Sequence, residues 1–301
     1  MPDIPCSKCR RPAIIFQRYS GLHLCKTHFI ADFEAKAKRA VRIHRWIQSG
    51  DRIAVALSGG KDSSALIYFL SKLLGKRRDI SIFAITIDEG IRGYRDCRVA
   101  AGIAGRLGIE HLTASFSKEF GVTLDEIVKE RGDRLSCSFC GVLRRQLLNR
   151  TARQNGATGL ALGFNLDDEA QSVLMNVLRG DTDRLLRQIT PVEGLIPRIK
   201  PFLYIPEREV ALYAFLHVEG FELGRCPYSH NALRADVRTL LNDYSWRHPA
   251  TRYSLVSLGE RLAQTVTPSG TAGTVCRYCG EPFIGECQPC RILSEVLHDR
   301  C

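Results

Sequence analysis

The stretch VALSGGKDSSALI, Val55 through Ile67, decides how the rest of the chain is read. A β-rich run over 52–57 (RIAVAL) enters it, and helical periodicity over 64–74 leaves it. Between them lies SGGKDS, residues 58–63. Gly59 and Gly60 let backbone N–H groups turn inward onto an anion. The following helix presents its positive N-terminus to the same place. Lys61 adds a mobile charge, and Ser58 and Ser63 add hydroxyls. A Walker A loop would read G-x-x-x-x-G-K followed by Ser or Thr. Here Val55 stands where the first glycine belongs, and Asp62 follows the lysine. A carboxylate repels a neighbouring phosphate, so Asp62 implies a bound Mg2+ or a helix cap. The plainer alternative is a glycine turn that only caps a helix.

Working outward, strand and helix patterns alternate. Strands are predicted over 81–87 (SIFAITI), 110–116 (EHLTASF) and 159–163 (GLALG), with helices over 94–107, 167–178 and 206–217. Such alternation implies β-α-β units and an α/β fold with a doubly wound parallel sheet. Ligands bind there at the carboxyl ends of the strands, near the switch in strand order. The candidate nucleotide contacts are therefore Ala56, Ser58, Gly59, Gly60, Lys61, Asp62, Ser63, Asp88, Gly163 and Asp168. Asp168 starts the helix after the fourth strand and is assigned Mg2+ binding or proton transfer. Asp167 fits better as a charge complementing the helix dipole.

The chain of 301 residues carries 43 Lys and Arg against 32 Asp and Glu, a formal charge of +11. Residues 1–49 alone hold ten Lys or Arg and three Asp or Glu, a surplus of seven. A basic surface suits a polyanion such as nucleic acid. No run approaches the roughly 20 apolar residues of a membrane span. The start, MPDIPCSKC, has no apolar signal core, so a cytoplasmic setting is expected.

Twelve cysteines fall mostly into three groups. Cys6-x2-Cys9 and Cys25-x2-His28 form one set of four ligands, and Cys276-x2-Cys279 with Cys287-x2-Cys290 forms another. Paired knuckles of this spacing make closed structural zinc sites. His23 breaks the spacing, so His28 is favoured. The alternative, disulfides, suits a cytoplasmic protein poorly. The modules are expected at residues 1–30 and 276–301, the body at 31–263, and a turn-rich linker at 264–275.

The third group, SCSFCGVLRR (136–145), pairs Cys137 with Cys140 but has no second CxxC; the remaining candidate is Cys226 in GRCPYS. Three cysteines leave a metal position open, which points to catalysis or an iron–sulfur cluster. A disulfide between Cys137 and Cys140 with a persulfide on Cys226 is the redox alternative. Simple packing of small apolar side chains is a third. Arg144 and Arg145 follow on a helix, as ligands for phosphate of a nucleic acid or a nucleotide, or as a solvated face.

SGGKDS resembles the PP-loop of ATP pyrophosphatases, which release pyrophosphate and transfer AMP. Taken with CSFCGVLRR, GFNLDDEAQSVLMNVLRGD, RIKPF, CPYS and the two flanking cysteine modules, the chain resembles the tRNA 2-thiouridine synthetases of the TtuA/cytosolic thiouridylase family. The likeness runs over nearly the whole chain. It implies a tRNA-thiolating sulfurtransferase using ATP and Mg2+, two Zn2+, and a 4Fe-4S cluster on Cys137, Cys140 and Cys226 with one open iron. Lys61, Asp168 and the three cysteines would be catalytic. The family implies a homodimer and a sulfur donor, either a thiocarboxylated ubiquitin-like protein or sulfide. The segment 226–249 is similar to members acting on wobble uridine 34 rather than T-loop uridine 54. Phe164 departs from the histidine often found there. Another PP-loop reaction, such as amidation or lysidine formation, and a zinc-dependent tRNA-binding protein with a relic nucleotide site are the competing classes.

Overall fold

The computed structural model describes residues 4–186, 195–229, 233–265, 274–283 and 286–297. The chain opens with a small antiparallel hairpin, β1 (Ile15–Gln17) and β2 (Leu22–Leu24), followed by helix α1 (Lys26–Ile43). The body then runs β3 (Arg52–Ala56), α2 (Lys61–Leu74), β4 (Ser81–Asp88), α3 (Cys97–Arg106), β5 (Glu110–Ser115), α4 (Phe116–Phe120), α5 (Leu124–Arg131) and α6 (Ser136–Gln154). It continues through β6 (Gly159–Ala161), α7 (Leu166–Leu178), α8 (Thr182–Leu186), β7 (Arg198–Ile199), α9 (Glu207–His217), α10 (Leu233–Arg247) and α11 (Thr251–Thr265). A second hairpin, β8 (Thr274–Val275) and β9 (Pro282–Phe283), and helix α12 (Gln288–Leu297) follow.

Five strands pair in the order β5-β4-β3-β6-β7, all parallel. The sheet grows one way from β3 to β5 and the other way through β6 and β7. Its switch point is the gap between β3 and β6. Alternation along β3 sends Ile53, Val55 and Leu57 into one core with α1, α2 and α9, while Ala54 joins Phe83, Ile85 and α6 in the other. Both faces are covered, which is why the strands read as apolar runs. Among the described residues no helix is long and apolar enough to cross a membrane.

The boundary expected at residue 30 falls inside α1, so the first cysteine module and the body share a continuous helix. Most of the linker, residues 266–273, lies outside the described residues.

Candidate active site and metal centres

The phosphate loop sits at the switch point. Gly59 holds φ +77°, which strains any side-chain-bearing residue. Ser63 Oγ accepts from Ser58 N (3.1 Å) and donates to Gly60 O (3.0 Å), which fixes the turn ahead of α2. The loop after β6 comes so close that a Cβ on Gly163 would lie 3.0 Å from the Asp62 carbonyl. That approach requires glycine and brings Asn165 and Asp168 to the crevice.

Charges in the crevice are tightly arranged. Lys61 Nζ reaches Asp62 Oδ2 at 2.7 Å and Glu207 Oε1 at 2.8 Å. Desolvation works against the charged amine, but these two carboxylates outweigh it and raise its pKa. Burial pushes the Asp62 carboxyl up. Its Oδ1 is buried without a hydrogen-bond partner among the described residues. Asp168 is pushed up to about 6, first by burial and further by the nearby Asp62 charge. It also closes a capping box at the start of α7, accepting from Asn165 N (3.3 Å) while Asn165 Oδ1 accepts from Asp168 N (3.2 Å). Asp167 turns away, lying 2.7 Å from Arg252 Nε and accepting from Glu207 N at 2.7 Å. Asp88 is exposed at the end of β4, and its Oδ1 accepts from Gly90 N (2.9 Å). Ala56 ends β3 beside the loop.

The three central cysteines lie next to this crevice. Cys137 is exposed, Cys140 buried and Cys226 between the two. Cys137 Sγ is 3.5 Å from the carbonyl oxygen of Tyr228, two residues past Cys226. The segment bearing Cys226 is also strapped to the phosphate loop. Glu222 N donates to Gly59 O (2.8 Å), and Glu222 bridges Gly60 in parallel pairing. Burial raises the pKa of Cys140, opposed by Arg144, whose guanidinium is 2.7 Å from Cys140 Sγ. Burial raises Cys226 too, and Cys137 adds to that. Cys137, Cys140 and Cys226 together are a donor set for a soft, positively charged centre, which would release their protons on binding.

Arg144 is partly exposed, yet it is tied inward by its partners. Its Nε lies 2.9 Å from Glu89 Oε1, and Glu89 is 4% exposed. Arg145 is exposed on α6. Sequence reasoning chose Asp88 in the segment after β4 and passed over Glu89. It also passed over Glu207. The partners of both, Arg144 and Lys61, come from distant segments.

At the chain ends, the ligand atoms of Cys6, Cys9, Cys25 and His28 all lie within 4.8 Å of one another, as do those of Cys276, Cys279, Cys287 and Cys290. Cys6 Sγ is 3.3 Å and Cys25 Sγ 3.5 Å from His28 Nδ1, and Cys9 Sγ is 3.7 Å from Cys25 Sγ. In the second set, Cys276–Cys290 and Cys279–Cys287 are each 3.6 Å apart. Disulfide sulfurs would be about 2 Å apart. A tetrahedron with metal–sulfur bonds of about 2.3 Å has sulfur–sulfur edges of roughly 3.8 Å. Backbone N–H groups of Cys279 and Tyr278 help to bring Cys276 down to about 6, the state a metal prefers. His23 stacks on Phe16 instead, with ring centroids 4.4 Å apart.

A parallel sheet with this loop at its switch point defines a nucleotide-binding α/β enzyme of the PP-loop class. The PP-loop domain family matches residues 30–243, and the N-terminal LIM domain of 2-thiouridine synthetase TtuA matches residues 6–30. The tRNA 2-thiolation protein NcsA of Haloferax volcanii is 37% identical over 97% of this chain and 98% of its own. Cytoplasmic tRNA 2-thiolation protein 1 of Drosophila sechellia is 37% identical over 99% of this chain and 89% of its own. Among solved structures, the U34-tRNA thiolase NcsA from Methanococcus maripaludis with its 4Fe-4S cluster superposes with a TM-score of 0.85, at 33% identity, over 99% of this chain and 97% of that one. The chain belongs to the TtuA/NcsA-like family of tRNA 2-thiolation proteins, enzymes built on a PP-loop domain.

Proposed function

We propose that the chain is an ATP-dependent tRNA uridine 2-sulfurtransferase acting on wobble uridine 34. One observation carries this reading: the strap from Gly59 to Glu222 joins the phosphate loop to the Cys226 segment. Activation and sulfur insertion thereby share one crevice. The structural relative named as a U34-tRNA thiolase supports the choice of uridine.

Uridine O2 attacks the α-phosphorus of ATP, the bond to the β-phosphate oxygen breaks, and pyrophosphate leaves. Sulfur then bonds to C2, and AMP departs with O2. Backbone N–H groups of Gly59 and Gly60, with the hydroxyls of Ser58 and Ser63, hold the leaving pyrophosphate. Lys61 turns from Asp62 and Glu207 to the charge growing there. Ala56, Asp88 and Gly163 line the nucleotide. Asp62, whose Oδ1 has no hydrogen-bond partner among the described residues, and Asp168, whose carboxyl feels its charge, would hold a Mg2+.

Cys137, Cys140 and Cys226 fit a 4Fe-4S cluster, because three thiolates leave one iron free and Arg144 balances their charge. When bound, that cluster supplies an exchangeable site for sulfur. The two closed sets, Cys6, Cys9, Cys25, His28 and Cys276, Cys279, Cys287, Cys290, are assigned Zn2+. They form modules at 1–30 and 276–301 around a catalytic domain at 31–263, with 264–275 as linker. A homodimer working in the cytoplasm, supplied by a thiocarboxylated ubiquitin-like protein or by sulfide, completes the proposal.

The test uses anaerobically purified protein with unmodified tRNA, ATP, Mg2+ and sulfide. Nucleosides are analysed by mass spectrometry and located by nuclease mapping. ATP-dependent 2-thiouridine at position 34 is expected. Sulfur at position 54, or none, overturns the proposal.

A further inference from the structure

Two arginines on the α6 side of the sheet, Arg145 and Arg198, have no partner among the described residues. Arg145 lies about one and a half turns beyond Cys140 on α6 and is exposed; Arg198 opens β7 and is half-buried. The register places Arg198 opposite Leu160, and Leu160 lies in the core that also holds Cys140 and Leu143 of α6. Arg198 therefore points to the same side of the sheet as α6. Gly141, next to Cys140, leaves room for Arg145 to fold back along the helix. A Cβ there would lie 3.2 Å from an Arg145 guanidinium nitrogen.

These cations crowd one another. Desolvation and the neighbouring charges of Arg198, Arg144 and Arg184 all weaken the hold of Arg145 on its proton. Arg144 is committed to Cys140 and Glu89, and Arg184 to Asp181 at 3.2 Å. Of these four cations, Arg145 and Arg198 are the two left without a partner among the described residues. Neighbouring guanidiniums repel one another, and an anion between them relieves that repulsion. The nucleotide crevice has its own charge network of Lys61, Asp62, Asp168 and Glu207. The charges acting on Arg145 include that of Cys140, beside those of Arg198, Arg144 and Arg184. The open pair thus belongs to the sulfur side of the site, not to the phosphates of ATP.

We propose that Arg145 and Arg198 form a clamp for the RNA backbone phosphates flanking the target uridine. The proposal rests on the tRNA-thiolation reading above. The planar guanidinium fork matches a phosphate in bidentate fashion. An unstacked uridine delivered to the cysteines carries a phosphate on either side for as long as the chemistry lasts. A sulfur donor's terminal carboxylate would offer a single charge to two or more cations, and so matches the cluster less well.

The test measures binding of a fluorescent, unmodified tRNA transcript to the full chain across a salt series, for wild type and R145A/R198A. ATP affinity is measured alongside. The double variant is expected to bind tRNA at least about tenfold more weakly. Its slope of log affinity against log salt should fall by about 1.4, the release from two single-stranded phosphates. ATP affinity should stay within about twofold, and R145K/R198K should keep most of the slope. Should the double variant fail to fold, the single variants carry the test, each lowering the slope by about 0.7. Unchanged tRNA affinity and slope overturn the clamp. So does a loss confined to ATP, or one confined to dependence on a thiocarboxylated donor protein. A wild type that makes no 2-thiouridine, with the binding loss present, defeats the functional reading and leaves the clamp standing. Normal thiolation with normal variant binding defeats the clamp alone.

Discussion

The cysteines at the chain ends and those in the middle are the same residue in opposite arrangements. At each end four ligand atoms gather within 4.8 Å, a span that one ion fills. In the middle, three thiols grade from exposed to buried, the buried Cys140 lies against Arg144, and the set borders the phosphate loop. A full tetrahedral shell has no place for a reactant, so it contributes folding energy. A three-thiol set leaves a position open and sits where a nucleotide can be activated. Ligand number and neighbours, rather than cysteine itself, separate structure from chemistry.

The comparison can be broken most severely at Cys226. C226A is expected to lose thiolation by more than the roughly 10–100-fold that follows removal of a supporting residue. Both zinc ions should remain, as measured by metal analysis of the same sample. Retained activity would remove Cys226 from the site. Glu89 tests the support beneath the triad. Without its carboxylate Arg144 loses its buried partner, so E89Q should lower thiolation about 10–100-fold with zinc content unchanged.

At the chain ends the opposite pattern is expected. C279A should drop zinc from two per chain to one and loosen the C-terminal module. That module is anchored by Glu281, which pairs with Arg153 at 2.7 Å and Arg150 at 3.2 Å. Its thermal transition should broaden and fall, while single-turnover thiolation drops only a few-fold. A complete loss of chemistry would erase the distinction between the two arrangements.

Asp168 sharpens the nucleotide half. Its folded-state pKa of about 6 lies above the ordinary value of 3.8. The folded chain therefore holds a proton that the unfolded chain releases. The associated stability is full below about pH 4 and is lost as pH rises through about 6. Without Mg2+ or ATP, D168N should be the more stable protein above pH 7, by up to ~3 kcal/mol, and the advantage should vanish below pH 4. Thermal melts across pH read this directly, and a wild type more stable than D168N at pH 8 would contradict it. The smallest effect is expected at Phe164, whose ring is 38% exposed and lies 5.8 Å from Lys200 Nζ. F164H should change stability by within about 0.5 kcal/mol and thiolation by less than about twofold.

The sheet was legible wherever burial on both faces made a strand continuously apolar, as in β3, β4 and β6. It was not legible at β7, where Arg198–Ile199 is only two residues long and is defined by pairing with β6 rather than by composition. The phosphate loop and both four-ligand sets were readable because their members are close in sequence. Glu89, Glu207 and the Glu222 strap were not, because each matters through a partner far along the chain: Arg144, Lys61 and Gly59. The fate of Arg144 followed the same logic. Its place on the helix was visible, but the carboxylate and thiol that hold it were not.

The central claim is that the cysteine triad and the phosphate loop form one site. It is tested most directly by measuring iron and ATP-dependent 2-thiouridine formation on the same anaerobic sample, before and after the iron is removed. The expected result is about four irons per chain, with thiolation lost and regained in step with them while ATP affinity holds. Full thiolation by iron-free protein would contradict it.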